Sequence, residues 1–156
     1  IFRYVKDEIS KLENPTVLDA YAGIATFGIC VSDGAQKVTS VEENASSIAK
    51  AREVLELNNI KNVELFAQDT LKYLQSIKKK FDVIVLDPPR KGCSQEVLDE
   101  TLLHVKSKII YVSCNPATLA RDLKYLTEHG AKVESIQPFD MFCHTYHIET
   151  VAIIAQ

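Results

Sequence analysis

The sequence predicts an α/β protein built on a doubly wound, mostly parallel sheet of seven strands, with an antiparallel strand at the C-terminal end. Five short apolar runs alternate with segments of helical spacing, which is typical of consecutive βαβ units. The run 81–86 is almost continuously apolar, as expected of a central strand covered on both faces. Two further strands end the chain with no helix between them. The 156 residues suit one domain with a full core.

The elements follow from apolar runs, turn residues and helical spacing taken in order. A helical pattern from Phe2 to Leu12 stops at Asn14-Pro15, and a small-residue turn after Asp19 leads into a short helix. The predicted strands are 16–18, 37–41, 63–67, 81–86, 109–112, 132–138 and 148–155. The predicted helices are 2–12, 27–31, 44–58, 71–77, 95–104 and 116–128.

Composition narrows the classes of function. Hydrophobic residues make up 46% of the chain, and no apolar run approaches the roughly 20 residues that span a bilayer, so we expect no membrane partner. A net charge of -3 argues against a basic surface over the whole chain but leaves room for a local basic patch. Four cysteines without a C-x-x-C pair indicate reduced thiols and a cytoplasmic location. Because Ile1 already lies in a helical pattern, we expect a piece of a longer protein.

The turn after the first strand has the shape of a nucleotide-binding loop. It carries Gly23-Ile24-Ala25 instead of Gly-x-Gly, and the alanine methyl obstructs the close approach that a pyrophosphate needs. A cofactor without phosphates, such as S-adenosylmethionine, fits better. Glu42 and Asp69 end the second and third strands, where acids can bind ribose and adenine.

Asp87-Pro88-Pro89 ends the fourth strand and is a more specific signal. Proline fixes the backbone and cannot donate to the sheet, so the pair predicts a rigid ledge that points the Asp87 carboxylate into a cleft. Arg90 and Lys91 follow; they can hold a phosphate of a polyanionic substrate or be ordinary surface charges.

Cys114 ends the fifth strand, just before Asn115-Pro116. Ligands of open α/β sheets bind at the carboxyl ends of the strands, so this position makes Cys114 a candidate nucleophile. The alternative is a buried, inert thiol. Glu149 stands where the last apolar run begins, and an acid there requires either a partner or a function. As a general base it would have to lie near Cys114.

A zinc site is a further alternative in the C-terminal segment. Cys143, His144 and His147 are possible ligands, but a fourth ligand is not evident in the sequence, and we predict no metal.

Four motifs spread over almost the whole chain carry a family resemblance. With them the sequence resembles the RNA uracil-5-methyltransferases, which use S-adenosylmethionine to convert uridine into 5-methyluridine in ribosomal or transfer RNA. The separation of 35 positions from Cys114 to Glu149 fits the spacing in that family. The motifs are Asp19-x-Tyr-x-Gly-Ile-x-Thr-Phe, Asp87-Pro-Pro-Arg-x-Gly, Tyr-Val-Ser-Cys114-Asn-Pro-x-Thr-Leu-Ala-Arg-Asp122 and Asp140-Met-Phe-x-x-Thr-x-His-x-Glu149.

The resemblance implies a Rossmann-like class I methyltransferase fold and a role for each matching residue. Cys114 would be the nucleophile and Glu149 the base, with Asp87 also in the reaction cleft. The cofactor-binding residues would be Tyr21, Gly23, Thr26, Glu42, Asp69 and Asp87. The substrate-binding residues would be Arg90, Lys91, Asn115 and Arg121.

The chain departs from the family at several positions. Ala22 stands where the family often has cysteine, Ala25 where it often has a second glycine, and Cys143 where proline is usual. Family members also carry an upstream RNA-binding region, in some cases with an iron–sulfur cluster, and a glutamine before the first strand that helps hold the cofactor. Residues 1–18 contain no glutamine, so we expect this chain to be the catalytic domain alone and to bind S-adenosylmethionine weakly.

Two other readings of the sequence remain open. An amino-methyltransferase acting on guanine or adenine also uses Asp-Pro-Pro at the fourth strand but needs no cysteine. A non-catalytic α/β module that binds a nucleotide or a partner protein would bury Cys114 far from Glu149. We expect instead that the two side chains face one cleft. The sequence leaves open which RNA and uridine are involved, and the oligomeric state.

Overall fold

The computed structural model describes residues 1–141, 144, 145 and 147–156, and its centre is a seven-stranded sheet. The predicted fold class is confirmed. The strands are β1 (Thr16–Ala20), β2 (Lys37–Glu42), β3 (Val63–Ala67), β4 (Phe81–Leu86), β5 (Val105–Ser113), β6 (Lys132–Phe139) and β7 (Glu149–Ala155). The helices are α1 (Phe2–Ile9), α2 (Thr26–Val31), α3 (Ala45–Leu57), α4 (Thr70–Ser76), α5 (Gln95–His104) and α6 (Pro116–Glu128), with one 3-10 turn at Ser32–Gly34.

The strand order is β3-β2-β1-β4-β5-β7-β6, and β7 runs antiparallel to both of its neighbours. The chain leaves β1 toward β2 and β3 on one side and then returns to place β4 on the other side. The order therefore reverses between β1 and β4, and the carboxyl ends of these two strands border a crevice where open α/β sheets bind ligands.

The sheet is covered on both faces. One core cluster packs the side chains of α4, α5 and α6 against the sheet, with Leu74, Leu98 and Leu126 among its buried members. The other packs α1, α2 and α3, including Ile9 and Leu55, against the opposite face. Because β4 lies between two parallel neighbours, β1 and β5, and is covered on both faces, its sequence is almost entirely apolar without alternation.

Four strands extend beyond their predicted limits: β2 and β6 by one residue each, β1 by two residues, and β5 at both ends. β1 continues through Asp19 to Ala20, so this carboxyl group lies inside the sheet and not at its edge. β5 begins directly after α5, four residues before Ile109. The sequence did not reveal this start, because the residues there are mostly polar. Of these, Lys108 pairs with Glu8 at 3.2 Å and Lys106 with Asp82 at 3.1 Å. The bounds predicted for β3, β4, α5 and α6 are confirmed. Among the described residues, no helix has the length and apolarity that crossing a bilayer requires.

Candidate active site

A cleft of about 490 Å³ opens at the carboxyl ends of the strands around the β1/β4 reversal. Its lining includes five of the residues singled out in the sequence: Tyr21, Glu42, Asp69, Asp87 and Lys91. These come from four separate segments, and the parallel sheet brings them to one edge.

The loop after β1 alternates left-handed residues: Tyr21 has φ +59°, Gly23 +55° and Ala25 +60°. Ala25 is fully buried and precedes α2, whose first residue, Thr26, is exposed. A left-handed conformation costs an alanine roughly 1 kcal/mol, because its Cβ crowds the backbone. The methyl group at position 25 therefore strains the loop, and because Ala25 is buried against Ala51, this methyl group faces the core and does not obstruct a ligand as the sequence suggested.

Glu42 fixes this loop through both of its carboxylate oxygens. Oε2 accepts the N–H of Gly23 at 2.9 Å, and Oε1 accepts the N–H of Asn44 at 2.9 Å. Each oxygen keeps a second lone pair, so the carboxylate can still accept from a ligand hydroxyl while the backbone holds it in place.

Asp19 supports the loop from beneath. Its Oδ2 accepts the N–H of Gly28 at 2.9 Å and the hydroxyl of Ser40 at 3.1 Å, and a side chain at Gly28 would overlap both Ser40 and Asp19. Asp19 is fully buried, and its Oδ1 has no hydrogen-bond partner among the described residues. Burial, with smaller contributions from the charges of Asp87 and Glu42, raises the pKa of Asp19 to about 7.

Asp69 is the N-cap of α4 and lies at the end of β3. Its Oδ1 accepts the N–H of Lys72 at 3.0 Å, which holds the side chain at the rim of the cleft. A capping carboxylate is fixed by the helix terminus and can take a further hydrogen bond through its other oxygen.

Asp87 and Glu149 form a second acidic region on the β4 side of the cleft. The N–H of Asp87 reaches the carbonyl of Ala20 at 3.4 Å, which joins the ends of β4 and β1. The residue is exposed at the mouth of the cleft, yet protein surrounds its carboxyl group. Burial of that group and the charge of Glu149 raise the pKa of Asp87 to about 6. Burial also raises the pKa of Glu149, against the opposing influence of His147.

Cys114 is half-buried and follows β5 in a tight turn. The Oγ of Ser113 accepts the N–H of Asn115 at 3.1 Å, and Asn115 caps α6 through the N–H of Ala117. Ser113 is paired with Thr150 across β5 and β7, so extending that antiparallel register by one residue sets Cys114 opposite Glu149. The two residues proposed from the sequence thus occupy neighbouring positions at one edge of the sheet.

Arg90 links three segments around this edge. Its carbonyl accepts from the Nδ2 of Asn115 and the Oγ1 of Thr118, each at 3.2 Å. Its guanidinium lies 3.2 Å from the Nδ1 of His147, and because arginine only donates, that nitrogen is the acceptor. Asn115 and Arg90, both predicted to bind substrate, are therefore also part of the scaffold around Cys114.

Arg121, the fourth residue predicted to bind substrate, donates within the protein. It bonds the Oδ1 of Asp122 at 2.8 Å and the carbonyls of Lys91 and Cys93 at 2.9 and 3.2 Å. The sequence interpretation did not single out Asp122 as a site residue. An acid spaced three residues from Leu119 and four from Leu126, on the buried face of α6, was the available signal. Cys143, considered above as a zinc ligand, lies outside the described residues.

Comparison with known proteins finds RNA methyltransferases. The family model described as tRNA (Uracil-5-)-methyltransferase matches residues 2–156. An uncharacterized RNA methyltransferase of Thermotoga maritima is 42% identical over 143 residues, which cover 92% of this chain and 33% of that protein. Another, from Caldanaerobacter subterraneus, is 38% identical and covers 99% of this chain and 34% of its own length. The chain thus spans about a third of the length of the curated relatives it matches.

Solved structures give the same picture. The tRNA (uracil-54, C5)-methyltransferase of Pyrococcus abyssi, crystallised with S-adenosyl-L-homocysteine, superposes with a TM-score of 0.79 and 32% identity, covering 97% of this chain and 37% of that one. A putative SAM-dependent methyltransferase from Streptococcus mutans has a TM-score of 0.83, covering 99% of this chain and 48% of that one, but only 18% identity, so it supports the fold alone.

Proposed function

The chain belongs to the tRNA (uracil-5-)-methyltransferase family, and from this premise we propose that it transfers a methyl group from S-adenosylmethionine to C5 of a uridine in RNA. The observation that supports the proposal is the antiparallel register of β5 and β7, which ends with Ser113 paired to Thr150 and, continued by one residue, would bring Cys114 opposite Glu149. A thiol and a carboxyl group with a raised pKa are the nucleophile and the base that this reaction needs.

The residues of the cleft fit S-adenosylmethionine. Glu42 is held by two backbone N–H groups and would accept the ribose hydroxyls, and Asp69 would accept the adenine amine. Tyr21, Gly23 and Thr26 would line the amino-acid end. Glu42, Asp69 and Asp87 line the cleft and make it acidic, which favours a sulfonium cation. The ligand printed for the Pyrococcus abyssi relative supports the same cofactor.

The proposed chemistry starts at Cys114. C5 of uracil is a poor nucleophile, so the Cys114 thiolate first forms a bond to C6 and shifts an electron pair to C5. When bound, S-adenosylmethionine would supply an electrophilic methyl group; the electron pair at C5 would take it up as the methyl–sulfur bond breaks, with S-adenosyl-L-homocysteine as the leaving group. Glu149 then removes the proton left on C5, and the C6–sulfur bond breaks to restore the aromatic ring and the thiolate.

Access of the target uracil to Cys114 would also require a rearrangement of the RNA. A uridine stacked in RNA cannot present C6 to the half-buried thiol of Cys114, so the target nucleotide would leave its stack. Lys91 lines the cleft beside Asp87, where its ammonium group can contact a backbone phosphate of that nucleotide.

We further propose that the chain acts as the catalytic domain of a longer protein. Its relatives are about three times as long, and the net charge of -3 here is consistent with most of the RNA affinity residing in the remainder. Whether the RNA is ribosomal or transfer RNA is then a property of that remainder.

The test is a trapping experiment in which the full-length protein that contains this chain is mixed with S-adenosylmethionine and RNA that contains 5-fluorouridine. Fluorine at C5 does not leave as a proton does, so a covalent protein–RNA adduct should persist, and peptide mapping should place it on Cys114. Cys114→Ala should form no adduct. Cys30→Ala, which changes another half-buried thiol on α2, should form it normally.

The opposite result would identify the alternative reaction. If no adduct forms while unfluorinated RNA is still methylated, the protein is an amino-methyltransferase and Cys114 is not a nucleophile. If neither reaction occurs but the cofactor binds, the chain is a binding module.

A further inference from the structure

Two consecutive residues of α6 hold the loop that forms one wall of the cleft. Lys91 and Gly92 line the cleft, and Cys93 follows them. Arg121 donates to the carbonyls of Lys91 and Cys93, and the Oδ2 of Asp122 accepts the N–H of Cys93 at 2.9 Å. Three polar backbone groups of the loop 91–93 are therefore satisfied by side chains from a helix that lies about 30 positions further along the chain.

The fit between the loop and the helix leaves no spare room. Gly92 has φ +75°, and a Cβ there would overlap the Oδ2 of Asp122 and the Nη2 of Arg121. The backbone of the loop thus packs directly on the charged groups, so the position of the loop depends on these two side chains.

The ion pair also reaches the other walls of the site. Asp122 is 1% exposed, and its Oδ2 accepts the hydroxyl of Tyr111, which lies on β5 three residues before Cys114. The same hydroxyl lies 3.6 Å from the Sγ of Cys93, which in turn contacts the hydroxyl of Tyr21 in the loop after β1. The contacts join the cofactor side, the loop 91–93 and the strand that leads to Cys114.

The ion pair is buried on one side only, because the side chain of Asp122 is buried while that of Arg121 is 57% exposed, so solvent screens the attraction and the charges alone contribute little stability. The contribution of Arg121 is to fix geometry, because a planar guanidinium donates hydrogen bonds in several fixed directions at once. We infer that Arg121 and Asp122 are positioning residues that hold the loop 91–93 at the spacing the cleft needs between its two sides. The inference rests on the proposed function for what the cleft binds.

The test compares Arg121→Lys with Arg52→Lys, an exposed control on α3. Lysine keeps the charge but has no fork that reaches Asp122 and two carbonyls together. In the 156-residue chain, hydrogen exchange of residues 90–94 should become about tenfold faster in Arg121→Lys, and calorimetry should show about tenfold weaker binding of S-adenosyl-L-homocysteine. Arg52→Lys should change neither. Tyr111→Phe removes one hydroxyl and should give a smaller effect in the same direction.

The outcomes separate positioning from simple stabilisation. If Arg121→Lys lowers the melting temperature but binds S-adenosyl-L-homocysteine as the parent does, the pair is only structural and the inference is wrong. Unchanged exchange of residues 90–94 would overturn it as well. If Arg121→Lys does not fold, Tyr111→Phe decides by the same two readouts. A parent chain that binds no S-adenosyl-L-homocysteine would instead refute the proposed cofactor, and the exchange comparison would still judge the contact between α6 and the loop.

Discussion

The carboxyl groups on the two sides of the cleft are held in different ways. On the side of β2 and β3, Glu42 accepts two backbone N–H groups and Asp69 accepts one. On the side of β4 and β7, burial raises the pKa values of Asp87 and Glu149, and the charge of Glu149 adds to the shift at Asp87. A carboxylate held by backbone donors is a fixed acceptor for hydroxyl and amine groups. A carboxyl group whose charged form is disfavoured is suited to take up a proton.

The contrast predicts that substitutions on the two sides of the cleft impair different steps of the reaction. Changes on the cofactor side should weaken binding, whereas changes on the reaction side should leave binding intact and slow the chemistry. The predictions below follow in order of the size of the expected effect.

Glu149→Gln should have the largest effect. Glutamine cannot take the C5 proton, so we expect release of methylated RNA to slow by about 10²–10⁴-fold while the covalent adduct with Cys114 accumulates even on unfluorinated RNA. Denaturing gels and mass spectrometry of the adduct measure both. In the parent protein, release should slow as the pH falls through the raised pKa of Glu149, and the variant should lose that dependence.

The control for this prediction is Glu53→Gln, a change at an exposed position of α3. It should methylate RNA at the rate of the parent protein. Release by Glu149→Gln at the parent rate would mean that another group removes the proton, and Asp87 would be the first candidate.

Glu42→Gln should have a smaller effect, and this effect should be on the affinity for the cofactor. Glutamine offers one acceptor oxygen where glutamate uses two, so either the N–H of Gly23 or that of Asn44 loses its partner and the loop after β1 loosens. We expect affinity for S-adenosyl-L-homocysteine to fall about 10- to 100-fold by calorimetry. Saturating S-adenosylmethionine should restore most of the methylation rate.

Glu56→Gln, on the exposed surface of α3, is the matched control and should leave the affinity unchanged. A methylation rate that stays low at saturating cofactor would erase the distinction between the two sides, because Glu42 would then act in the chemistry as well.

The sequence predicted the strand-end residues well, and the reason is geometric. Parallel strands bring their carboxyl ends to one edge, so Glu42, Asp69 and Asp87 could be grouped without a structure. The bounds of β4 and α6 were predictable because prolines mark the turn at one end of each.

Other features depend on contacts that no local pattern records. The hydrogen bonds from Arg121 to Lys91 and Cys93 join segments about 30 positions apart. The left-handed backbone of Ala25 could not be predicted from the sequence, since alanine rarely adopts this conformation. The start of β5 was hidden because Lys106 and Lys108 find acidic partners across neighbouring elements.

Asp19 combines the two kinds of carboxyl group in one side chain. Its Oδ2 accepts two donors, as on the cofactor side, while its Oδ1 is buried with no partner among the described residues. The pKa of about 7 means that folded Asp19 keeps a proton that the unfolded chain, with its ordinary value of 3.8, releases at lower pH. Its contribution to stability is therefore largest below about pH 4 and is lost as the pH rises to about 7.

The smallest predicted effect is that of Asp19→Asn. The amide oxygen can keep the contacts with Gly28 and Ser40, and the amide nitrogen replaces an unpartnered charge at Oδ1. We expect the free energy of unfolding to rise by about 1–2 kcal/mol at pH 8, with the gain shrinking toward zero as the pH approaches 4, measured by urea unfolding. Asp7→Asn, on the exposed side of α1, should show no such trend. A loss of stability that is the same at every pH would show that the hydrogen bonds from Gly28 and Ser40 outweigh the cost of burying the charge. Asp19 would then act only as a fixed acceptor, like Glu42 and Asp69.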